Sequence, residues 1–426
     1  MSLLITGGLV VDPARNLEQL LDVLVDRGKI AALEPPGAIP REGRRVIDAL
    51  GLVVAPGLID MHVHLREPGE EYKETIATGA AAAVRGGFTA VAAMPNTRPV
   101  NDSSSVTRFI LDQAKAAGLA RVYPVAAVSV GSQGENLAEY GDLKAAGAVA
   151  LTDDGHPVTN PMLMRRALEY ARAFDLPILS HCEDLTLRAG GVMHEGAVSV
   201  RIGLKGIPGA AEESMVFRDL GLARLTGGRL HIMHVSAGGS VELIRRAKAQ
   251  GLKVTAETAP HYFSLTDEAV IGYDTRAKVN PPLRAAADMA AIKAGLADGT
   301  LDAIASDHAP HTSLEKDLEF DAAAFGLIGL ETSLGLSLRL VHEGVITLMQ
   351  LVEKMSTNPA RILGVPGGTL AVGAPADITI IDLNREWTVD VNTFASKSRN
   401  CPFDGWTFKG RAVMTIVGGK VVWEEK

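Results

Sequence analysis

His62-Val63-His64 sets two imidazoles two positions apart. On a strand, residues i and i+2 share a face with Cα atoms about 6.5 Å apart, so both rings reach one metal ion. Four more residues of ligand type stand apart along the chain. They are Asp154 in Thr152-Asp153-Asp154-Gly155, His181 in Leu179-Ser180-His181-Cys182, His234 in Ile232-Met233-His234-Val235 and Asp307 in Ala305-Ser306-Asp307-His308. Each alone has an ordinary explanation, as a polar loop, a core histidine or a helix cap. Each also falls at or just past the end of a short apolar run. That shared position joins four histidines and two aspartates into one two-metal constellation.

Eight such runs must position them: 58–62, 90–94, 122–126, 148–152, 177–180, 230–233, 253–256 and 303–306. Helical patterns lie between. One runs from Ser103 to Ala117, with Asn101-Asp102 as cap candidates and Gly118 as its stop; another runs from Met162 to Phe174. Eight βα units with fully apolar strands predict an α/β fold, a closed (β/α)8 TIM barrel over residues 53–365. An open doubly wound sheet fits less well, because no glycine-rich dinucleotide or phosphate loop follows the first strand. In a barrel the C-terminal ends of all strands share one rim. His62, His64, Asn96, Asp154, His181, His234 and Asp307 would meet there.

The two ends of the chain read differently. Leu3 to Thr6, Gly7-Gly8 and Leu9 to Val11 predict a hairpin with a two-glycine turn. Met414 to Val417, Gly418-Gly419 and Lys420 to Trp423 predict another. Residues 1–52 and 366–426 together predict one discontinuous β-sandwich domain beside the barrel.

Imidazole and carboxylate donors favour zinc. In a binuclear site the ions sit about 3.5–4 Å apart and an anionic group bridges them, for which Asp154 is the candidate. Asp153 would point the opposite way and serve the structure. Two zinc ions with Asp154, Asp307 and a bridging hydroxide leave a site of about +1, suited to an anionic substrate.

Composition narrows the class. The 426 residues are 47 % hydrophobic and 22 % charged, which excludes a largely disordered chain. A net charge of −8 offers no footprint for nucleic acid. The two cysteines, Cys182 and Cys401, make neither a disulfide framework nor a CxxC pair, and no run is long enough for a membrane helix. A cytoplasmic enzyme with no nucleic-acid or membrane partner is the expectation.

Pro56-Gly57-Leu58-Ile59-Asp60-Met61-His62-Val63-His64-Leu65-Arg66-Glu67-Pro68-Gly69 resembles the opening motif of the cyclic amidohydrolases, and specifically of the bacterial type I dihydroorotases. The likeness continues through Met94-Pro95-Asn96-Thr97, Asp153-Asp154-Gly155, Ser180-His181-Cys182-Glu183 and the segment from Ala303 to His311, so it spans essentially the whole chain. It implies a two-zinc barrel that interconverts N-carbamoyl-L-aspartate and dihydroorotate in pyrimidine biosynthesis. It further implies His62, His64 and Asp307 on one zinc, His181 and His234 on the other, and Asp154 with a hydroxide between them. Arg66, Asn96 and His311 would hold the substrate carboxylate, and Asn280, Phe325 and Gly326 the ring. Asp307 would accept the proton of the attacking hydroxide and deliver it to the departing ring nitrogen.

Arg66 also stands on its own chemistry, as a planar fork suited to a carboxylate. Hydantoinases and allantoinases, the first alternative, bridge their metals with a carboxylated lysine after the fourth strand. Here Asp154 takes that position and Lys144 falls a helix earlier. A second alternative is a metal-free scaffold for aspartate transcarbamoylase, which the six ligand positions argue against. A homodimer and a complex with that enzyme are the partner readings the resemblance brings. His156, His194, His231, His261, His308 and His342 are expected to be structural or neighbours of the ligands. Cys182 is expected to pack away from the site, and the acidic run from Glu315 to Asp321 to form a solvated loop.

Overall fold

The computed structural model describes residues 2–425. Its centre is a sheet of eight parallel strands, each at one of the expected apolar runs: Leu58–Val63, Phe88–Ala93, Arg121–Ala126, Ala150–Leu151, Ile178–Ser180, Leu230–Ile232, Val254–Thr258 and Ala303–Ile304. They neighbour one another in chain order. A parallel bridge from Val63 to His308, with the His64 N–H donating to the His308 carbonyl at 2.8 Å, brings the last strand back to the first. The strands are buried on both faces, as a helix-wrapped parallel barrel requires. Inside lie Met61, Ala92, Met94, Val125, Ala150, Leu179, Met233, Ala303 and Ala305.

Helices cover the outside for the local reasons the sequence carries. The helix Ile76–Arg85 is opened by a reciprocal Thr75–Thr78 capping box. Helix Pro161–Ala171 starts on Asn160, whose side chain accepts from the Met162 and Leu163 N–H groups, with Pro161 at its first position. The helix after the second strand spans Ser104–Ala117 and ends at Gly118 in the left-handed region. Asn101 and Asp102 do not cap it. Asn101 donates to the Val125 carbonyl at 2.8 Å and accepts from Thr107 at 2.7 Å, and Asp102 accepts from the Gly131 N–H at 2.7 Å. Both side chains tie the rim loops to one another instead.

The chain ends meet in a second, continuous eight-stranded sheet built from Leu3–Asp12, Leu17–Asp26, Lys29–Glu34, Arg45–Asp48, Val53–Pro56, Ile378–Thr388, Thr407–Val417 and Lys420–Glu424. Val53–Pro56 lies past the expected boundary at residue 52 yet pairs with Ile378–Thr388, so the chain leaves this sheet only on entering the first barrel strand. Its own core includes Ile5, Val10, Val23, Val54, Ile378 and Ile416, drawn from both termini.

The two glycine pairs part company here. Gly418 and Gly419, at φ 54° and 77°, make the two-residue turn between Val417 and Lys420. Gly7-Gly8 makes no hairpin. Leu3–Asp12 runs straight through it with a register shift, pairing with Leu17–Asp26 along its whole length. The pair is a bulge: Gly7 sits at φ 69° and gives its N–H to Asp22 Oδ1 at 2.9 Å, while a Cβ on Gly8 would meet Val54 Cγ2 at 2.5 Å.

Candidate active site

The first barrel strand delivers His62 into the barrel mouth and His64 just beyond it. Asp154, His181, His234 and Asp307 arrive from the ends of the fourth, fifth, sixth and eighth strands. All six residues are at least nine-tenths buried. Ligand atoms of His62, His64 and Asp154 lie within 4.8 Å of one another, and so do those of Asp154, His181 and His234. Asp154 divides itself between the two groups. Its Oδ2 faces His62 Nε2 at 3.4 Å and His64 Nε2 at 3.2 Å; its Oδ1 faces His181 Nδ1 at 3.3 Å and His234 Nε2 at 3.5 Å. Asp307 joins the first group, with Oδ1 at 3.3 Å from His64 Nε2 and 3.6 Å from His62 Nε2.

The rings are aimed from behind. His64 Nδ1 donates to Asn96 Oδ1 at 2.8 Å, and His62 Nδ1 donates to Glu257 Oε1 at 2.8 Å. Each contact turns the Nε2 lone pair toward the centre. His181 and His234 bring Nδ1 and Nε2 within 2.8 Å of each other. Two imidazole nitrogens facing one carboxylate oxygen are the donor set of a shared cation. His234 and Asp307 take positive φ, 33° and 49°, backbone strain that a non-glycine residue adopts only when its surroundings impose it.

Charge follows geometry. Burial alone would raise Asp154 and Asp307, yet the imidazoles hold Asp154 well below the ordinary carboxylate range and Asp307 at about 2. Burial alone would lower His181, but Asp154 and Glu183 raise it to about 9. Such a site concentrates proton-binding power that a divalent ion would replace.

Above this floor opens a cavity of about 300 Å³ lined by His64, Asp154, His181, His234 and Asp307, together with Arg66, Asn96, Asn280, His311, Phe325 and Gly326. Every residue expected from the sequence to hold metal or substrate is thus in one place, with His62 beneath the others. Arg66, at φ 63°, donates from Nε to the Pro310 carbonyl at 3.1 Å and from Nη2 to His311 Nε2 at 3.2 Å. Burial and the Arg66 charge keep His311 neutral, pulling it down to about 3. Because the Asn96 carbonyl oxygen is spent on His64, its NH₂ end is the donor it can offer to the cavity it lines.

The sequence reading missed two contributors, Glu257 and Arg188, while His231 is the neighbour of the ligands it was expected to be. Glu257 stands just past the seventh apolar run, 253–256, where the rule that found the other residues already pointed. Burial would raise it, but His231 and His62 hold it at about 2. His231, with Nε2 at 3.3 Å from Glu257 Oε2, therefore stands behind His62 through one intermediary. Arg188 lines the cavity and packs over Phe325, 5.2 Å from the ring centre. The segment from Glu315 to Asp321 is solvated at Asp317, Leu318, Glu319 and Asp321, as expected, but it is anchored at two points. Lys316 and Phe320 are buried within it, and Glu315 pairs with Lys73 at 2.9 Å. Asp153 turns away to accept from the Val128 and Ser129 N–H groups, and Cys182 packs against Ser180.

A family described as Dihydro-orotase-like matches residues 51–240. A curated protein named Dihydroorotase from Geobacter metallireducens is 59 % identical over 424 residues, covering 100 % of both chains. Another of that name from Syntrophus aciditrophicus is 56 % identical over 426 residues with the same coverage. Among solved structures, the L-hydantoinase (dihydropyrimidinase) of Arthrobacter aurescens superposes with a TM-score of 0.89 at 28 % identity, over 99 % of this chain and 96 % of that one. The dihydropyrimidinase of Brevibacillus agri gives 0.84 at 25 % identity, over 100 % and 96 %.

Proposed function

The chain belongs to the dihydroorotase family of cyclic amidohydrolases, and from that premise we propose that it interconverts N-carbamoyl-L-aspartate and (S)-dihydroorotate in pyrimidine biosynthesis. One observation carries the reading. The Arg66–His311 pair and the free end of Asn96 face the same cavity as the Asp154-centred cluster. A carboxylate-bearing ring held by the first group would present its amide to the second. Hydantoin, dihydrouracil and allantoin bring no carboxylate to that wall.

The donor set fits two zinc ions: His62, His64 and Asp307 for one, His181 and His234 for the other, and Asp154 for both. Bound there, such ions supply a nucleophilic water near neutral pH and polarise a carbonyl. The protein's own groups do the rest. Arg66, Asn96 and His311 fix the carboxylate, and Asn280 with the Phe325–Gly326 backbone holds the ring. Asp307, ionised and aimed at the centre, takes a proton from the attacking water and returns it to the ring nitrogen as the C–N bond breaks. In the reverse direction it removes a proton from the carbamoyl nitrogen. This reading divides the chain into a barrel that starts at Leu58 and runs to about residue 365, and a terminal β domain of the segments before and after it that keeps Val53–Pro56, and it puts the enzyme in the cytoplasm. No helix among the described residues is long and apolar enough to cross a membrane.

The test is a hydrolysis assay of dihydroorotate beside hydantoin, dihydrouracil and allantoin, on protein whose zinc has been counted. Turnover confined to dihydroorotate is expected. Turnover of a ring without a carboxylate, and none of dihydroorotate, would overturn the reading.

A further inference from the structure

Of the three lysines that lie almost wholly inside the protein among the described residues, Lys354 lies elsewhere, and two stand behind the cavity wall, Lys278 at 2 % exposure and Lys316 at 3 %. Neither has a carboxylate within ion-pair distance among the described residues. Lys278 Nζ donates to the carbonyls of Phe320, Asp321 and Ala323 at 2.6, 3.0 and 2.6 Å. Lys316 Nζ donates to those of Lys278, Ala324 and Gly326 at 3.4, 2.7 and 3.0 Å. An ammonium has three N–H groups, and each of these two spends all three on main chain. A buried cation without a counter-anion is costly, so the arrangement needs a return.

The segment they grip ends in Phe325 and Gly326, which line the cavity. The Gly326 N–H donates back to the Lys278 carbonyl at 2.8 Å, and its own carbonyl also accepts from Asn400 at 3.1 Å. Gly326 sits at φ 130°, where a Cβ would meet Ala309 Cβ at 2.7 Å, so this backbone is pressed against the rim. The Phe325 ring lies 4.5 Å from Lys278 Nζ.

We propose that Lys278 and Lys316 are positioning residues of the substrate site, whose ammonium groups clamp the Phe325–Gly326 main chain into the wall the substrate ring meets. The proposal rests on the dihydroorotase reading for its substrate and on geometry for the clamp. Removing one proton from either ammonium leaves a lone pair facing a carbonyl oxygen, so the clamp depends on both charges. Asp321 and Arg188 face Lys278; Lys278, Asp274 and Glu315 face Lys316, with Glu315 already engaged by Lys73. Burial lowers Lys278 to about 8, and burial with repulsion from Lys278 lowers Lys316 to about 7.

The experiment compares wild type with Lys316→Met and Lys278→Met. In each variant KM for dihydroorotate should rise about tenfold while kcat stays within about threefold and the metal content is unchanged. Chymotrypsin should cut faster at Leu318, Phe320 or Phe325. Wild-type KM should climb from about pH 7 to about pH 9.5, a climb that Lys316→Met flattens. Unchanged KM and unchanged proteolysis in both variants overturn the clamp. Should a variant not fold, a wild-type KM that stays flat over that pH range overturns it equally. If wild type does not turn over dihydroorotate, that failure falls on the functional reading, and proteolysis still judges the clamp.

Discussion

The floor and the wall of the cavity are built on different principles. The floor is made of residues at strand ends, where the barrel's hydrogen bonding fixes each Cα and, for two of the four rings, one contact from behind fixes the ring. Glu257 does this for His62 and Asn96 for His64. The wall is made of loop residues, and its precision comes from main chain caught by buried side chains: Lys278, Lys316 and Asn400 on one side, the strained Arg66 on another. A floor of this kind tolerates no loss, because its six ligand-type groups converge on one small volume. A wall of this kind sets what is bound and how well.

The largest effect should come from the floor. Asp307→Ala is expected to reduce turnover by about 10²–10⁴-fold in both directions, the range for removing a general acid–base. Steady-state assays from dihydroorotate and from N-carbamoyl-L-aspartate check it, and near-wild-type rates would remove Asp307 from proton transfer.

The wall answers next. Arg66→Met leaves the six floor residues in place but removes the fork that reads a carboxylate. The expected result is a fall of about 10²-fold in kcat/KM for dihydroorotate, carried mainly by KM, with zinc content unchanged. If zinc is lost as well, floor and wall are not separable.

Glu257→Gln probes the support beneath the floor. Outer partners of metal-binding histidines typically contribute 10–100-fold in affinity or activity, and the loss here should appear as weaker metal retention under a chelator. A variant that keeps its metal and its rate would make Glu257 a packing group only.

The floor's charges make a pH prediction of about tenfold per unit for each proton displaced. His181 is raised to about 9 and His62 well above its ordinary value, so metal-free protein at pH 7 carries protons on both. A metal must displace them, so affinity rises as pH rises toward about 9 and falls in acid. Calorimetric titration of metal-free protein in buffers of different ionisation enthalpy measures the protons released. None released at pH 7 would contradict the assignment.

How much of this was legible depends on how local each feature is. The floor could be read because a parallel barrel turns a one-dimensional rule, polar residue after apolar run, into a three-dimensional cluster. Glu257 obeys the same rule, standing one residue past the run 253–256, and was passed over although nothing in its position hid it. The wall's clamp could not be read, since nothing in the type or spacing of Lys278 and Lys316 says that either is buried, or on which carbonyls. The same limit separates the two glycine pairs. At Gly418-Gly419 the strands that pair are the flanking residues themselves, so the turn is written locally. At Gly7-Gly8 the partners are Leu17–Asp26 on one side and Arg45–Asp48 with Val53–Pro56 on the other, and those distant strands hold the chain straight.

The smallest effect belongs to a residue outside both floor and wall. Arg121 begins the third barrel strand, at the end away from the site, and holds Asp377 of the terminal sheet through Nε at 2.8 Å and Nη2 at 3.1 Å. Asp377 also accepts from the Gly418 N–H at 2.7 Å, so one carboxylate ties barrel to hairpin. Arg121 is itself about two-fifths exposed, 38 % for the side chain, and solvent screens the pair. Arg121→Met should therefore cost about 1 kcal/mol or less, seen as a drop of about 2 °C or less in the thermal midpoint. KM, kcat and metal content should stay at wild-type values, because conserving or losing stability at the barrel's far end leaves the rim where it is. A kinetic change in this variant would mean that small global loosening reaches the site. The effects assigned above to floor and wall would then have to be measured against that background.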